Sequence, residues 1–409
     1  MMANRSLTRP KWWKHKEMES NVEKKMKDQL SLVVISQWGS DVKGINGGNV
    51  KKLFSQIEAF KRSGFDVRTV IKEPPARTGK ASLFDRLMTK AKNILPFCTN
   101  QCIIRYSEVG KADCYFVRFR AYDYPFRKLI TKIRKENPEA KVVFEYSDYP
   151  YYTLRGRDVI GDALVKFRDD YNRDRTLKCV DRIATLRSDK EMDGKPCLKM
   201  FNGLDVEKIK RKTRNHIPGE IHVLIVASLQ PAHGVDRFIE GMKEYYRGEW
   251  TEKVILHIVG GGSILDEIKA KAEDLGDKVI FHGFMFGEEL DAMYDKCDIG
   301  LEIMAPKRKD IIISASLKSR EYIARGFPFV SACKLDISDL GFEDYCRVPD
   351  TEAPIDIKGI IEYYSSYEEN YEANADSMRK FAEKYLDMEF AMKEIIDYFK
   401  DNSVHLKED

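Results

Sequence analysis

The stretch ISASLKSREYIARGFPFVSA, Ile313 to Ala332, carries the most structural information in this chain. Ser314, Ala315 and Ser316 predict the start of a helix, because a serine oxygen can cap the free backbone N–H groups there. Lys318, Arg320 and Glu321 ride on that helix and Gly326 ends it. Pro328 and the apolar pair Phe329-Val330 then open a strand. A helix tip with free N–H groups attracts phosphate. A carboxylate one to two turns further in can accept two hydrogen bonds from a ribose diol. Phosphate at the tip and diol beyond it is the layout that a nucleotide-sugar site needs. An ordinary capped helix between two strands has the same local form, so the rest of the chain must decide.

Outward from this stretch, short β-branched runs alternate with helical periods, which predicts parallel sheets with crossover helices. Towards the N-terminus the expected strands are His222–Leu229, Val254–Val259, Val279–His282 and Ile299–Met304. Helices Val235–Tyr246, Ser263–Leu275 and Glu288–Cys297 lie between them, and Gly260–Gly262 stand between the second strand and its helix. The first half repeats the alternation, with strands near Leu30–Trp38, Asp66–Lys72, Cys114–Arg120, Lys141–Ser147, Arg182–Ser188 and Cys197–Phe201. Its helices are Val50–Ser63, Phe126–Glu136 and Val159–Lys178. The turn Asn202-Gly203-Leu204-Asp205 and the basic run Lys208–Gly219 mark a boundary. The expected division is a basic N-terminal segment at 1–28, a Rossmann-like acceptor-side domain at 29–203 and a second Rossmann-like, donor-binding domain at 204–385. Residues 386–409 form a C-terminal helix expected to cross back to the first domain.

At 409 residues the chain can bury two α/β cores, and its 43% hydrophobic and 33% charged content is that of a folded soluble protein. No 18-residue apolar run and no secretory leader is visible, so a cytoplasmic location is expected. The eight cysteines are scattered, with Cys98 and Cys102 the one close pair, and read as structural thiols. The net charge of +4 conceals an asymmetry: residues 1–200 hold 42 Lys+Arg against 25 Asp+Glu, and the remainder 28 against 41. A cationic half points to an anionic partner such as a membrane surface. Lys11–Lys16, with Trp12 and Trp13, and the amphipathic stretch Leu83–Leu95, with Arg86, Lys90 and Lys92, are the segments suited to one, at the inner face of the plasma membrane. A disordered tail and burial in the first domain are their respective alternatives. No nucleic-acid module is present, so no nucleic-acid partner is expected.

Five motifs in order resemble the family-4 retaining glycosyltransferases of the two-domain GT-B type. They are Asn202-Gly-Leu-Asp205; His233-Gly-Val-Asp-Arg-Phe-Ile239 after the strand ending Ala227-Ser228-Leu229; Ile258-Val-Gly-Gly-Gly262; Val279-Ile-Phe-His-Gly283 with Glu288-Glu-Leu290; and Lys318-Ser-Arg-Glu-Tyr-Ile-Ala-Arg-Gly-Phe-Pro328. In the first half, Gly44–Asn49 sits where the family's first loop nears the donor diphosphate, and Phe144–Tyr151 resembles a loop of a surface-polysaccharide subgroup. The resemblance implies two Rossmann-like doubly wound domains facing across a cleft. It implies hexosyl transfer from a UDP- or GDP-sugar to a glycan or lipid-linked acceptor, with no metal and no resident cofactor. It departs from the family at Ile313, where a first glutamate often stands, and at Ser228 and His233 in place of arginine and lysine.

On this reading Lys318, His233 and the N–H groups of Ser316, Leu317 and Lys318 meet the leaving diphosphate, whose growing charge needs such donors. Gly47 and Gly48 let backbone approach a phosphate without a Cβ. Glu321 holds the ribose, Asp148 orients acceptor or sugar, and Ser228, Gly260 and His282 line the donor site as the resemblance implies. Each has a plainer alternative: a pairing of Glu321 with Arg320 or Arg325, a turn aspartate, a loop histidine, a tight glycine turn. A dinucleotide reading of Gly260–Gly262 fails because the next strand ends in His282-Gly283 rather than an acid. Asp169-Asp170 reads as an exposed helix face, not a metal site. An epimerase of the same fold and a donor-binding subunit without turnover remain the alternatives.

Overall fold

The computed structural model describes residues 29–36, 48–72, 104–119, 121–146 and 159–401. Two compact units emerge, one drawn from Met1–Ile45, Ile57–Lys199 and Glu394–Asp409 and the other from Asn46–Gln56 and Met200–Lys393.

In the first unit, strands β1 (Ser31–Ser36), β2 (Asp66–Ile71), β3 (Cys114–Arg118), β4 (Lys141–Tyr146), β5 (Arg182–Thr185), β6 (Glu191–Met192) and β7 (Lys195–Lys199) pair in the order β2-β1-β3-β4-β5-β7-β6. Every neighbouring pair is parallel except β6 with β7. Leu32–Ile35 and Cys114–Val117 read as unbroken apolar runs because helices cover both faces of such a sheet, and all eight residues are buried. Helix α1 spans Gly48–Arg62, of which only the part from Ile57 groups with this unit, and α2 spans Tyr124–Glu136 and α3 Val159–Leu177. The carboxylate of Asp123 accepts the Phe126 N–H at 2.8 Å and starts α2, which buries Phe126, Leu129, Ile130 and Ile133. α3 packs against α2 and brings Asp123 beside Asp169. Asp169 is therefore buried, not on the exposed face that its arginine neighbours suggested, and burial first, then Asp123, raises its carboxyl to about 8.

The second unit holds β8 (Glu220–Leu229), β9 (Lys253–Gly262), β10 (Val279–Gly283), β11 (Ile299–Leu301), β13 (Phe329–Ser331) and β15 (Cys346–Arg347), all parallel in the order β10-β9-β8-β11-β13-β15. Short strands β12 (Ile313–Ser314) and β14 (Lys334–Leu335) pair separately. The unit's longer helices are α4 (Val235–Arg247), α5 (Leu265–Ala272), α6 (Glu288–Lys296), α7 (Leu317–Arg325), α8 (Ile357–Glu369) and α9 (Tyr371–Tyr385). α4 buries Val235, Phe238, Ile239, Met242 and Tyr245, one stripe at helical spacing. The final helix α10 (Lys393–Lys400) belongs to the first unit, where Lys141 Nζ donates to the Tyr398 carbonyl at 2.7 Å near its C-terminus.

Two boundaries differ from expectation. β9 continues through Gly260–Gly262, which pair with Ala227, Ser228 and Leu229. A Cβ on Gly260 would lie 2.1 Å from the Ala227 oxygen, and one on Gly262 2.2 Å from the Leu229 oxygen. The glycines thus let two strands close backbone to backbone. β11 ends at Leu301 rather than Met304, and the next residue, Glu302, begins the polar cluster described below.

Candidate functional site

The loop before α7 is pinned from beneath. Asn202 Nδ2 donates to the Ala315 carbonyl at 2.7 Å, so the turn at the unit's start holds the helix tip. Arg320, fully buried, donates to the carbonyl oxygens of Asn202 at 3.2 Å and Ser316 at 3.4 Å and pairs with Asp336. Ser316 caps α7 by accepting the Ser319 N–H, and Gly326 ends it in the left-handed region at φ +63. Both ends lie where the sequence put them.

Glu302 lies under this tip and is wholly buried. Its Oε1 accepts the hydroxyls of Ser314 at 2.7 Å and Ser316 at 2.6 Å, and its Oε2 accepts that of Ser331 at 2.9 Å. A buried carboxylate is costly unless paired and hydrogen-bonded, and three hydroxyls supply the bonds. The Ser316 hydroxyl proton is thereby committed inward. What the tip offers outward is backbone N–H and Lys318.

Lys318 Nζ donates to the Glu302 carbonyl at 3.0 Å. Burial pulls its ammonium down to about 8, and the Glu302 charge opposes that pull. His233 lies close enough that Lys318 and Lys309 reinforce the main effect, burial, in holding its imidazole down at about 3. It is therefore neutral. Its Nδ1 accepts the Gln230 N–H at 3.0 Å, which leaves the proton on Nε2 as a donor. Gly234, at φ +60, lets this loop reach the strand end beside it: a Cβ would lie 2.8 Å from Met304 Cβ. His233, Ser316, Leu317 and Lys318 thus gather at the C-terminal ends of β8 and β11, the side where open parallel sheets bind ligands.

Glu321 follows one turn along α7 and is half-buried. Its Oε1 accepts from Arg325 Nη2 at 3.0 Å, while the same nitrogen bonds Asp291 at 2.6 Å. The Arg325 guanidinium stacks 4.1 Å from the Tyr294 ring. Of the two pairings foreseen for Glu321, the one with Arg325 forms. Its Oε2 takes no hydrogen bond among the described residues.

The other expected site residues lie elsewhere or outside the described structure. Ser228 and Gly260 sit at the paired ends of β8 and β9, with Ser228 exposed. His282 ends a row of imidazoles: its Nε2 lies 2.9 Å from His257 Nδ1, and His257 Nε2 lies 2.9 Å from His222 Nδ1. His222 Nε2 faces the Glu220 carboxylate at 3.1 Å. A carboxylate accepts, so every ring carries its proton on Nε2 and points it along the row. Gly48 opens α1. Gly47, Asp148, Cys98, Cys102, Lys11–Lys16 and Leu83–Leu95 fall outside the described residues. Sequence reasoning missed Glu302, although an acid inside the apolar run Ile299–Met304 is the signal that could have found it.

Residues 220–353 match the family model for glycosyl transferases group 1. Among curated proteins, none matches this sequence. Solved structures share the fold at low identity. The Candida albicans trehalose-6-phosphate phosphatase N-terminal domain is 13% identical, covers 91% of this chain and 99% of its own, and aligns with a TM-score of 0.60. Anabaena HepE in complex with UDP and glucose is 12% identical over 91% of this chain and 100% of its own, at 0.55. A Rickettsia africae glycosyltransferase is 11% identical over 92% and 100%, at 0.52. Two Rossmann-like units in this arrangement of elements are the GT-B fold, and the matched domain supports sugar transfer in general.

Proposed function

We propose that this protein is a retaining, hexosyl-transferring glycosyltransferase that takes its sugar from a UDP- or GDP-sugar. The observation that carries the reading is the helix tip at Ser316–Lys318. It offers backbone N–H groups, one cation and the neutral His233 Nε2–H at the strand ends of a glycosyl transferases group 1 match. These donors suit a leaving diphosphate, because fixed N–H groups and a cation stabilise charge as it develops. The C1–O bond to the diphosphate breaks as the acceptor oxygen bonds C1 on the same face, and the acceptor's proton passes to the departing phosphate oxygen. Glu321 receives the ribose through Oε2. The UDP bound in the Anabaena neighbour supports a uridine donor.

We extend the reading to a metal-independent reaction without a resident cofactor, in which Lys318 supplies the positive charge. The acceptor is a glycan or lipid-linked saccharide of surface-polysaccharide synthesis, met at the inner face of the plasma membrane. No helix among the described residues is long and apolar enough to cross a membrane, and the cationic first half of the sequence suits an anionic surface. Ile313, half exposed where the family often carries a glutamate, favours a second reading as a donor-binding subunit that needs a partner for turnover.

Purified full-length protein incubated with UDP- and GDP-sugars and EDTA should release nucleoside diphosphate and, given acceptor, form a product with the donor's anomeric configuration. Donor binding that yields product only when a second protein is added would favour the subunit reading. Neither binding nor hydrolysis of any donor would defeat both.

A further inference from the structure

Glu302 is a wholly buried acid in the second unit that the proposed chemistry leaves unused. It is fully buried, it is an acid where the sheet otherwise places apolar residues, and three separate segments converge on it. Ser314 comes from β12, Ser316 caps α7 and Ser331 ends β13. A carboxylate kept only to tie segments together would be poor economy, since apolar packing of the same volume is often neutral or more stable.

We propose that Glu302 is a positioning residue of the donor site: through the serine hydroxyls it sets the helix tip that meets the diphosphate, and through its charge it keeps Lys318 cationic. The inference rests on the reading of that tip as the diphosphate site. The geometry gives each role its own contact. Oε1 takes both Ser314 and Ser316 hydroxyls, so the two sides of Ala315 are held by one atom. Asn202 holds the Ala315 carbonyl in turn. The tip's N–H groups are therefore fixed before any ligand arrives, which is what preorganised charge stabilisation requires.

The second role follows from what surrounds the lysine. Lys318 donates to the Glu302 backbone carbonyl, so the ammonium is tethered to the very residue whose carboxylate is buried behind it. The groups facing Lys318 from other elements are Glu302 after β11 and His233 after β8. His233 is neutral, so Glu302 is the charge that favours the ammonium. Without it, burial alone would act on the ammonium, and Lys318 would lose its proton nearer neutral pH.

The test is the affinity of the full chain for UDP, measured by calorimetry from about pH 6.5 to 9.5, above the second phosphate ionisation. Wild-type affinity should fall as pH rises past about 8, where Lys318 discharges. In Glu302→Gln the fall should come about one pH unit earlier, leaving affinity several-fold below wild type at pH 8 and close to it at the acid end. Lys318→Arg, which stays charged, should abolish the fall, and adding Glu302→Gln to it should produce no pH-dependent loss. Should Glu302→Gln fail to fold, a fall that persists in Lys318→Arg still overturns the inference. A wild-type profile unchanged by Glu302→Gln overturns the inference alone, while no UDP binding by wild type at any pH overturns it together with the donor-site reading.

Discussion

Two buried polar clusters share the second unit, and they are built for different ends. The imidazole row Glu220–His222–His257–His282 runs sideways across β8, β9 and β10, and each ring satisfies the next. Its donors are used up inside the row. The Glu302 cluster stacks upward from the sheet to a helix tip, and its inward bonds leave N–H groups and an ammonium for a ligand. Buried polarity that closes on itself is structural; buried polarity that fixes an open set of donors is what the proposed donor site needs.

The contrast is sharpest in acid. Burial, then Lys296 and the flanking rings, pushes His257 down to about 3, and His233 is likewise held at about 3. Both folded values lie below the unfolded value of about 6.5, so the unfolded chain binds more protons as pH falls from about 6.5 towards 3. Stability is present in full above that window and lost on descending through it. Each histidine should cost about 2 kcal/mol between pH 6.5 and 4.5. Urea unfolding of the second unit at several pH values checks this, and His257→Gln should remove one proton from the slope. A stability that is flat over that window would mean that His257 and His233 are not held neutral.

The next largest effect separates closure from binding at the strand ends. Gly262→Ala places a Cβ 2.2 Å from a backbone oxygen at φ +150, and should destabilise by about 3 kcal/mol. A thermal melt unchanged from wild type would show that β8 and β9 do not close as described. Lys318→Ala should do the opposite. It ought to lower the melt less than Gly262→Ala does, yet weaken UDP-sugar binding by about 100-fold, the scale of a lost charge-assisted contact of roughly 3 kcal/mol. Full affinity in that variant would move the ligand away from the helix tip.

Much of this was legible in the chain. The helix from Leu317 to Arg325 announces its ends by Ser316 and Gly326, and the parallel alternation follows from unbroken apolar runs such as Leu32–Ile35. These are local signals, and local reasoning reads them. The second strand was expected to end at Val259, before the triglycine, because the reason for those glycines, the oxygens of Ala227 and Leu229, lies more than thirty residues away. Glu302 was missed for the same reason: its three hydroxyl partners come from 12 to 29 residues further on. Burial of Asp169 depends on α2, which no pattern within α3 encodes.

A smaller effect tests the carboxylate that the motif made most prominent. Glu321→Gln retains an oxygen but gives up charge towards both Arg325 and a ribose diol. Its stability should change by about 1–2 kcal/mol, since the amide oxygen can still accept from Arg325 and Arg325 keeps Asp291, while donor affinity should fall about tenfold or more. Donor affinity equal to wild type, measured by calorimetry, would leave Glu321 as the partner of Arg325 and nothing more.

The comparison comes down to where a diphosphate sits. In a crystal of the full chain grown with UDP, the account places the phosphates within hydrogen-bond distance, about 3 Å, of the Leu317 and Lys318 N–H groups and of Lys318 Nζ. Phosphates found instead against Gly260–Gly262 and His282, with the tip at Ser316 empty, would contradict it.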